Sequence, residues 1–153
     1  MTTCAEIMTE KIKFHLPTTP VDLIAKTMKD SNVGPVPIVD SKSSMRLVGI
    51  VTDRDLAVKV VAEDKDSKST DASDVMSPDP ITCTPEDKID RAIQLMEECQ
   101  VRRIPVVDKD GRLVGIIAQA DIATRLNKAK KTAEVVEEIS KTPVKRPHNI
   151  QKM

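Results

Sequence analysis

The tetrapeptide Pro37-Ile38-Val39-Asp40 returns sixty-eight positions later as Pro105-Val106-Val107-Asp108, and that echo decides the fold. At the same offset Met8 meets Met76, Pro17 meets Pro85, Met28 meets Met96 and Val33 meets Val101. After a loop two residues shorter in the second copy, Arg46-Leu47-Val48-Gly49-Ile50 returns as Arg112-Leu113-Val114-Gly115-Ile116. Asp55 then answers Asp121, and Ala57 answers Ala123. A register kept on both sides of a length change marks a tandem duplication. The chain divides into a first repeat over 1–62, a linker over 63–72, a second repeat over 73–127 and a tail over 128–153. The linker is charge-dense and polar, as connections between packed units are.

Each copy has the same order of elements. Thr19-Pro20-Val21-Asp22 reads as a helix start, with Thr19 as cap, Pro20 in the first turn and Asp22 toward the positive end of the helix dipole. Asp87-Lys88-Ile89-Asp90 reads the same way, and Ile89, Ala92, Ile93, Leu95 and Met96 then recur at helical spacing. Two short β-branched runs follow in each copy: Val36–Val39 with Leu47–Thr52, and Ile104–Val107 with Leu113–Ala118. Polar turns separate them, so each pair predicts a hairpin. A second helix is expected over Asp53–Val61 and over Gln119–Asn127, and a short extended piece before each first helix, at Lys13–Leu16 and Ile81–Cys83. A single strand–helix–strand–strand–helix unit leaves one sheet face bare, so the two copies should pack sheet to sheet. The fold class is α/β (α+β), with two βαββα repeats about a pseudo-twofold axis.

Composition narrows the function. Lys plus Arg and Asp plus Glu number 24 each, which gives no bulk attraction to nucleic acid or anionic lipid. Phe14 is the single aromatic residue, so no aromatic platform for base stacking exists. No apolar run is long enough to span a bilayer, and 1–10 does not resemble a signal peptide, so a cytoplasmic protein is expected. Three cysteines and two histidines, with no CxxC, suggest neither a disulfide framework nor a metal site. No nucleophile–base pair, phosphate loop or metal-ligand cluster is legible, so no catalytic role or cofactor is expected. Met8, Met28, Met76 and Met96 read as core filling, Cys83 and Cys99 as small buried or half-buried residues, and His15 as structural.

Met8-Thr9 and Met76-Ser77, the Pro-apolar-Val-Asp runs, the Leu-Val-Gly-Ile runs and Thr52-Asp53-Arg54-Asp55 together resemble the CBS domain family, across most of 3–127. The resemblance implies a paired module that commonly forms a disc-shaped homodimer. It also implies regulatory binding of an adenosyl compound (AMP, ADP, ATP, NAD or S-adenosylmethionine) in clefts between the copies. The regulated partner protein is not legible, and nucleic acid is not favoured as a ligand.

Gly49-Ile50-Val51-Thr52-Asp53-Arg54-Asp55 sets a hydroxyl and a carboxylate three residues apart at a helix start. That spacing reads equally as a capping box and as a nucleotide site in which the carboxylate takes the ribose hydroxyls. The resemblance favours the nucleotide. It implies that Gly49, Thr52 and Asp55 work with Met76, Ile81 and Thr82 beside the base, and with Arg102 and Arg103 near the phosphates, where guanidinium forks suit phosphate oxygens. In the second cleft Asp121 is kept, Ala118 replaces the hydroxyl, and Gly34 and Pro35 stand where the first cleft has its arginines; Lys13 lies on the early strand. The expectation is an asymmetric module with one phosphate-competent cleft, the other empty or holding a less phosphorylated ligand. The alternative is a ligand-free dimeric scaffold in which Thr52 and Asp55 serve only as a cap.

Overall fold

The computed structural model describes residues 2–128; the helix that the apolar spacing of Val135, Val136 and Ile139 predicts over 132–140 lies outside them. In chain order the elements are α1 (Cys4–Ile7), α2 (Val21–Ser31), β1 (Val36–Val39), β2 (Leu47–Val51) and α3 (Asp53–Leu56), which runs into a π-helical turn (Ala57–Val61). There follow α4 (Ala72–Val75), β3 (Ser77–Pro78), α5 (Ile89–Cys99), β4 (Arg103–Val107), β5 (Leu113–Ala118) and α6 (119–128). The mixed α/β architecture of two small sheets and their helices is the one the duplication predicts.

Both hairpins form as antiparallel pairs, β1 with β2 and β4 with β5, and each has a register shift near its turn, at Ile38/Val39 and at Val106/Val107. The short early segments pair parallel to the first strand of their own hairpin, His15 with Ile38 and Cys83 with Val106. α2 and α5 match residue for residue in length. Each ends on a left-handed residue, Asn32 or Gln100, whose N–H returns to a methionine carbonyl, of Met28 or Met96.

The segment ahead of each repeat belongs to the other repeat's core. Cys4 and Ile7 of α1 lie in one apolar cluster with Cys83, Ile89, Leu95, Ile104, Val106 and Ile117. Ala72 and Val75 of α4 lie in the other, with Val21, Ile24, Val36, Ile38 and Val51. Thr9 bridges Ile116 of β5, and β3 adds to β2 by pairing Ser77 with Ile50 and Pro78 with Gly49. This exchange explains the glycines inside β2 and β5. A Cβ on Gly49 would stand 2.6 Å from Met76 Sδ, and one on Gly115 would stand 2.5 Å from Met8 Sδ. The repeated methionines thus fill the space left by the repeated glycines.

The helix starts differ from the expected caps. Pro20 and Lys88 are the N-cap residues of α2 and α5, and neither start has a side-chain cap. Thr19 Oγ1 accepts instead from Leu16 N–H, and Asp87 Oδ2 from Thr84 N–H. The free N–H groups of α2 are taken by linker carbonyls: Val21 N–H donates to Thr70 and Asp22 N–H to Ser67. Ile89 N–H of α5 donates to Thr2. A helix start must satisfy its orphan donors from some source, and here the exchanged segments supply the acceptors. The stretch over 63–72 is therefore stitched to the first repeat rather than a free connector.

The two hairpins meet at the pseudo-twofold axis. Arg46 lies opposite Arg112, and Leu47 N–H donates to Gly111 and Leu113 N–H to Met45 across the junction. Among the described residues no helix is long and apolar enough to cross a membrane.

Candidate functional site

Thr52 follows β2 in an extended conformation and caps α3. Its Oγ1 accepts from Asp55 N–H at 3.1 Å, and Asp55 Oδ2 accepts from Thr52 N–H at 2.9 Å. Asp55 Oδ1 also pairs with Lys59 Nζ at 3.1 Å, and the same ammonium donates to the Val75 carbonyl at 2.9 Å. Both oxygens of the Asp55 carboxylate are thus already engaged, and so is the hydroxyl. The capping box is formed, and through Lys59 it holds the end of α4 as well.

Asp121 stands at the matching position of α6 without those partners. Ala118 offers no hydroxyl, and among the described residues the one ion pair is Asp55–Lys59. Arg125, which answers Lys59, spends its guanidinium on the Glu6 carbonyl at 2.7 Å. The Asp121 carboxylate faces a cavity of about 100 Å³ lined by Thr9, Lys11, Ile12, Lys13, Val33, Pro35, Arg103 and Ile116. Three cations and one uncommitted carboxylate therefore converge where β5 passes into α6. Thr9, Lys11, Ile12 and Lys13 all lie on the segment between α1 and α2, which forms one wall of the cleft.

The expected residues are distributed differently from the sequence reading. Arg103, placed there beside Thr52 and Asp55, lines the Asp121 cleft, because it opens β4 opposite Ala118, three residues before Asp121. Arg102 is exposed, and its carbonyl accepts Gln119 N–H. Arg102 lies in the bend before β4, and of the two arginines Arg103 lines that cleft. Lys13, Pro35 and Asp121 come together as the sequence grouped them, whereas Gly34 sits against the Asp53 carboxylate. The second cleft, in which Gly34 and Pro35 stand at the arginine positions, is lined by the cations Lys11, Lys13 and Arg103. Gly49 is covered by Met76, which packs on the first repeat's core; Ile81 is exposed and Thr82 half-buried. Lys11 also lines the cleft, and no motif in the sequence points to it.

A second concavity, about 240 Å³, is an apolar groove between α5 and α6, lined by Ile93, Met96, Val101, Ile122 and Leu126 among others. Elsewhere His15 is half-buried, with Nε2 2.8 Å from Thr27 Oγ1, and burial lowers its pKa. Among the described residues no cluster of His, Cys, Asp and Glu is arranged to hold a metal ion.

Residues 4–62 and 72–128 both match the CBS domain. The chain belongs to the CBS domain family. The two CBS repeats meet the limits of the family match at the same places where α1 and α4 begin. CBS domain-containing protein YhcV of Bacillus subtilis is 36% identical over 123 residues, covering 80% of this chain and 84% of that protein. The chain spans only half the length of a similar uncharacterized protein of Methanopyrus kandleri, 38% identical over 99 residues and 65% of this chain. Among solved structures it is similar to CBSX2 in complex with AMP, with a TM-score of 0.74, 27% identity, and coverage of 85% of this chain and 99% of that one. It is also similar to the CBS domain pair of protein MJ0100 in complex with 5-methylthioadenosine and S-adenosyl-L-methionine, with a TM-score of 0.71, 28% identity, and coverage of 85% and 98%.

Proposed function

We propose that this CBS pair is a non-catalytic regulatory module that binds an adenosine-type nucleotide in the Asp121 cleft and passes its occupancy to a partner protein. The observation that carries the reading is the uncommitted Asp121 carboxylate facing Lys11, Lys13 and Arg103. A carboxylate accepts both hydroxyls of a ribose, and guanidinium and ammonium groups take phosphate oxygens. The enclosed volume of about 100 Å³ is below the roughly 300 Å³ at which whole-ligand pockets begin. It suits the ribose–phosphate end, with the base toward the mouth. The adenosyl ligands of CBSX2 and MJ0100 support the ligand class. The Asp55 site, with its polar groups already paired, is the weaker of the two. The module would act as a cytoplasmic homodimer, its copies meeting over the apolar groove between α5 and α6, since exposed apolar patches of that kind mark contact surfaces.

Calorimetric titration with AMP, ADP, ATP, NAD and S-adenosylmethionine tests this on three proteins: the native chain, Asp121→Ala and Asp55→Ala. The expected result is saturable binding that Asp121→Ala weakens at least tenfold and Asp55→Ala leaves within about twofold, since each hydrogen bond to a charged group is worth about 1.5–3 kcal/mol. The opposite ranking would move the ligand to the Asp55 site. Binding of none of the five by the native chain would leave the CBS pair as an assembly scaffold.

A further inference from the structure

Cys4 and Cys83 lie seventy-nine residues apart in the sequence, yet they share one apolar cluster, with relative exposures of 0% and 2%. Cys4 is the first residue of α1, and its N–H donates to Asp87 at 2.8 Å while Ala5 N–H donates to Pro85 at 3.0 Å. Those bonds lay α1 along the segment that follows Cys83. The two thiols are near enough to influence each other's protonation, and Cys4 Sγ is 3.9 Å from the Lys88 carbonyl. Cys99 is half-buried and stands apart from the cluster. Two buried thiols of one cluster, one on α1 and one on the body it docks on, are a pair that nucleotide binding does not use.

We propose that Cys4 and Cys83 form a reversible disulfide on exposure to hydrogen peroxide, fastening the N-terminal arm to the second CBS repeat. While α1 is docked, burial raises both thiols above their ordinary range, so both stay protonated and unreactive. α1 is a single turn of four residues, and local opening of so short an element costs less than global unfolding. When the arm lifts, the Cys4 thiolate attacks the peroxide; the O–O bond breaks, water leaves and Cys4 becomes a sulfenic acid. On redocking, the Cys83 sulfur attacks the Cys4 sulfur, the S–O bond breaks and a second water leaves. The two thiols lose two electrons and two protons, and the peroxide oxygens end as two waters. The arm runs on through Thr9, Lys11 and Lys13, so the lock fixes one wall of the Asp121 cleft. The disulfide itself does not depend on any ligand in that cleft.

The native chain is treated with stoichiometric hydrogen peroxide, quenched with acid, weighed intact and digested without reduction. The expected product is a monomer lighter by about 2 Da, with Cys4 joined to Cys83 and Cys99 open to alkylation. Its Tm rises by about 10 °C, because the bridge closes a long loop, and falls back on reduction. Cys99→Ser gives the same product, and Cys4→Ser does not lose the 2 Da. Gain of oxygen without that loss, bridges through Cys99 or between chains, or a bridge that forms only in denaturant would overturn the proposal.

Discussion

Arg103 and Asp121 face one cleft from adjoining elements, the arginine opening β4 opposite Ala118 and the aspartate standing in the first turn of α6. Opposite charges that share a cleft without pairing leave both free for a ligand. Arg103→Ala is therefore expected to weaken binding of a phosphorylated nucleotide more than of an uncharged adenosine. Comparing AMP with adenosine on the native and Arg103→Ala chains checks this. Equal losses for both ligands would mean that Arg103 shapes the cleft without touching phosphate.

Thr52 is expected to serve stability. Its hydroxyl caps α3, and the box it makes with Asp55 also orients Lys59 onto the end of α4. Thr52→Ala should cost about 1 kcal/mol in denaturant unfolding and leave nucleotide affinity unchanged. The reverse change in the second repeat, Ala118→Thr, should give the Asp121 carboxylate a capping partner and lower nucleotide affinity. Unchanged affinity in Ala118→Thr would show that a formed cap and a bound ribose are compatible.

Gly115 and Met8 should couple. An alanine Cβ at 115 would stand 2.5 Å from Met8 Sδ and 3.1 Å from Met8 Cβ, so the methionine has to move. Gly115→Ala is expected to cost about 1–3 kcal/mol, as overpacking does. In a double-mutant cycle Met8→Ala should recover part of that loss. Strict additivity of the two changes would mean that the glycine is required for its backbone rather than for the methionine.

The duplication, both hairpins and the two long helices were legible because each rests on local periodicity: 3.6 in Ile89–Cys99, β-branched runs in β1, β4 and β5. The exchange of α1 and α4 was not. Residues 2–9 and 72–78 carry apolar positions that fit either repeat's core, and only long-range packing decides which one they cover. Asp121, Lys13 and Pro35 line one cavity and Arg103 lines it with them, while Arg102, in the bend before β4, is exposed; no local pattern in the sequence carries that separation. Thr52 and Asp55 fitted two readings in the sequence, and only the hydrogen bonds show that their cap is formed.

His15 gives the fold a dependence on mild acid. Burial holds its pKa below the ordinary 6.5, and its Nε2 meets Thr27 Oγ1. Between the lowered folded value and 6.5 the unfolded chain binds more protons than the folded one. The contribution is therefore complete above about pH 6.5 and is lost as pH falls toward the folded value. His15→Gln, which keeps a polar partner for Thr27 and cannot titrate, should flatten the stability profile over that interval. A native profile with no slope there, or the same slope in His15→Gln, would remove His15 as its source.

The groove between α5 and α6 is the surface on which self-association should turn. Val101 is exposed at its rim and Leu126 lines its floor, both apolar and both outside the proposed nucleotide cleft. A carboxylate at either position would have to be desolvated against a second copy, which is unfavourable without a partner charge, and Glu97 already brings one negative charge to the groove. Leu126→Glu and Val101→Glu are expected to shift the molar mass by light scattering from two chains to one at micromolar concentration, with nucleotide affinity kept. A native chain that is already monomeric would refute the homodimer. Variants that stay dimeric would place the interface on another face of the CBS pair.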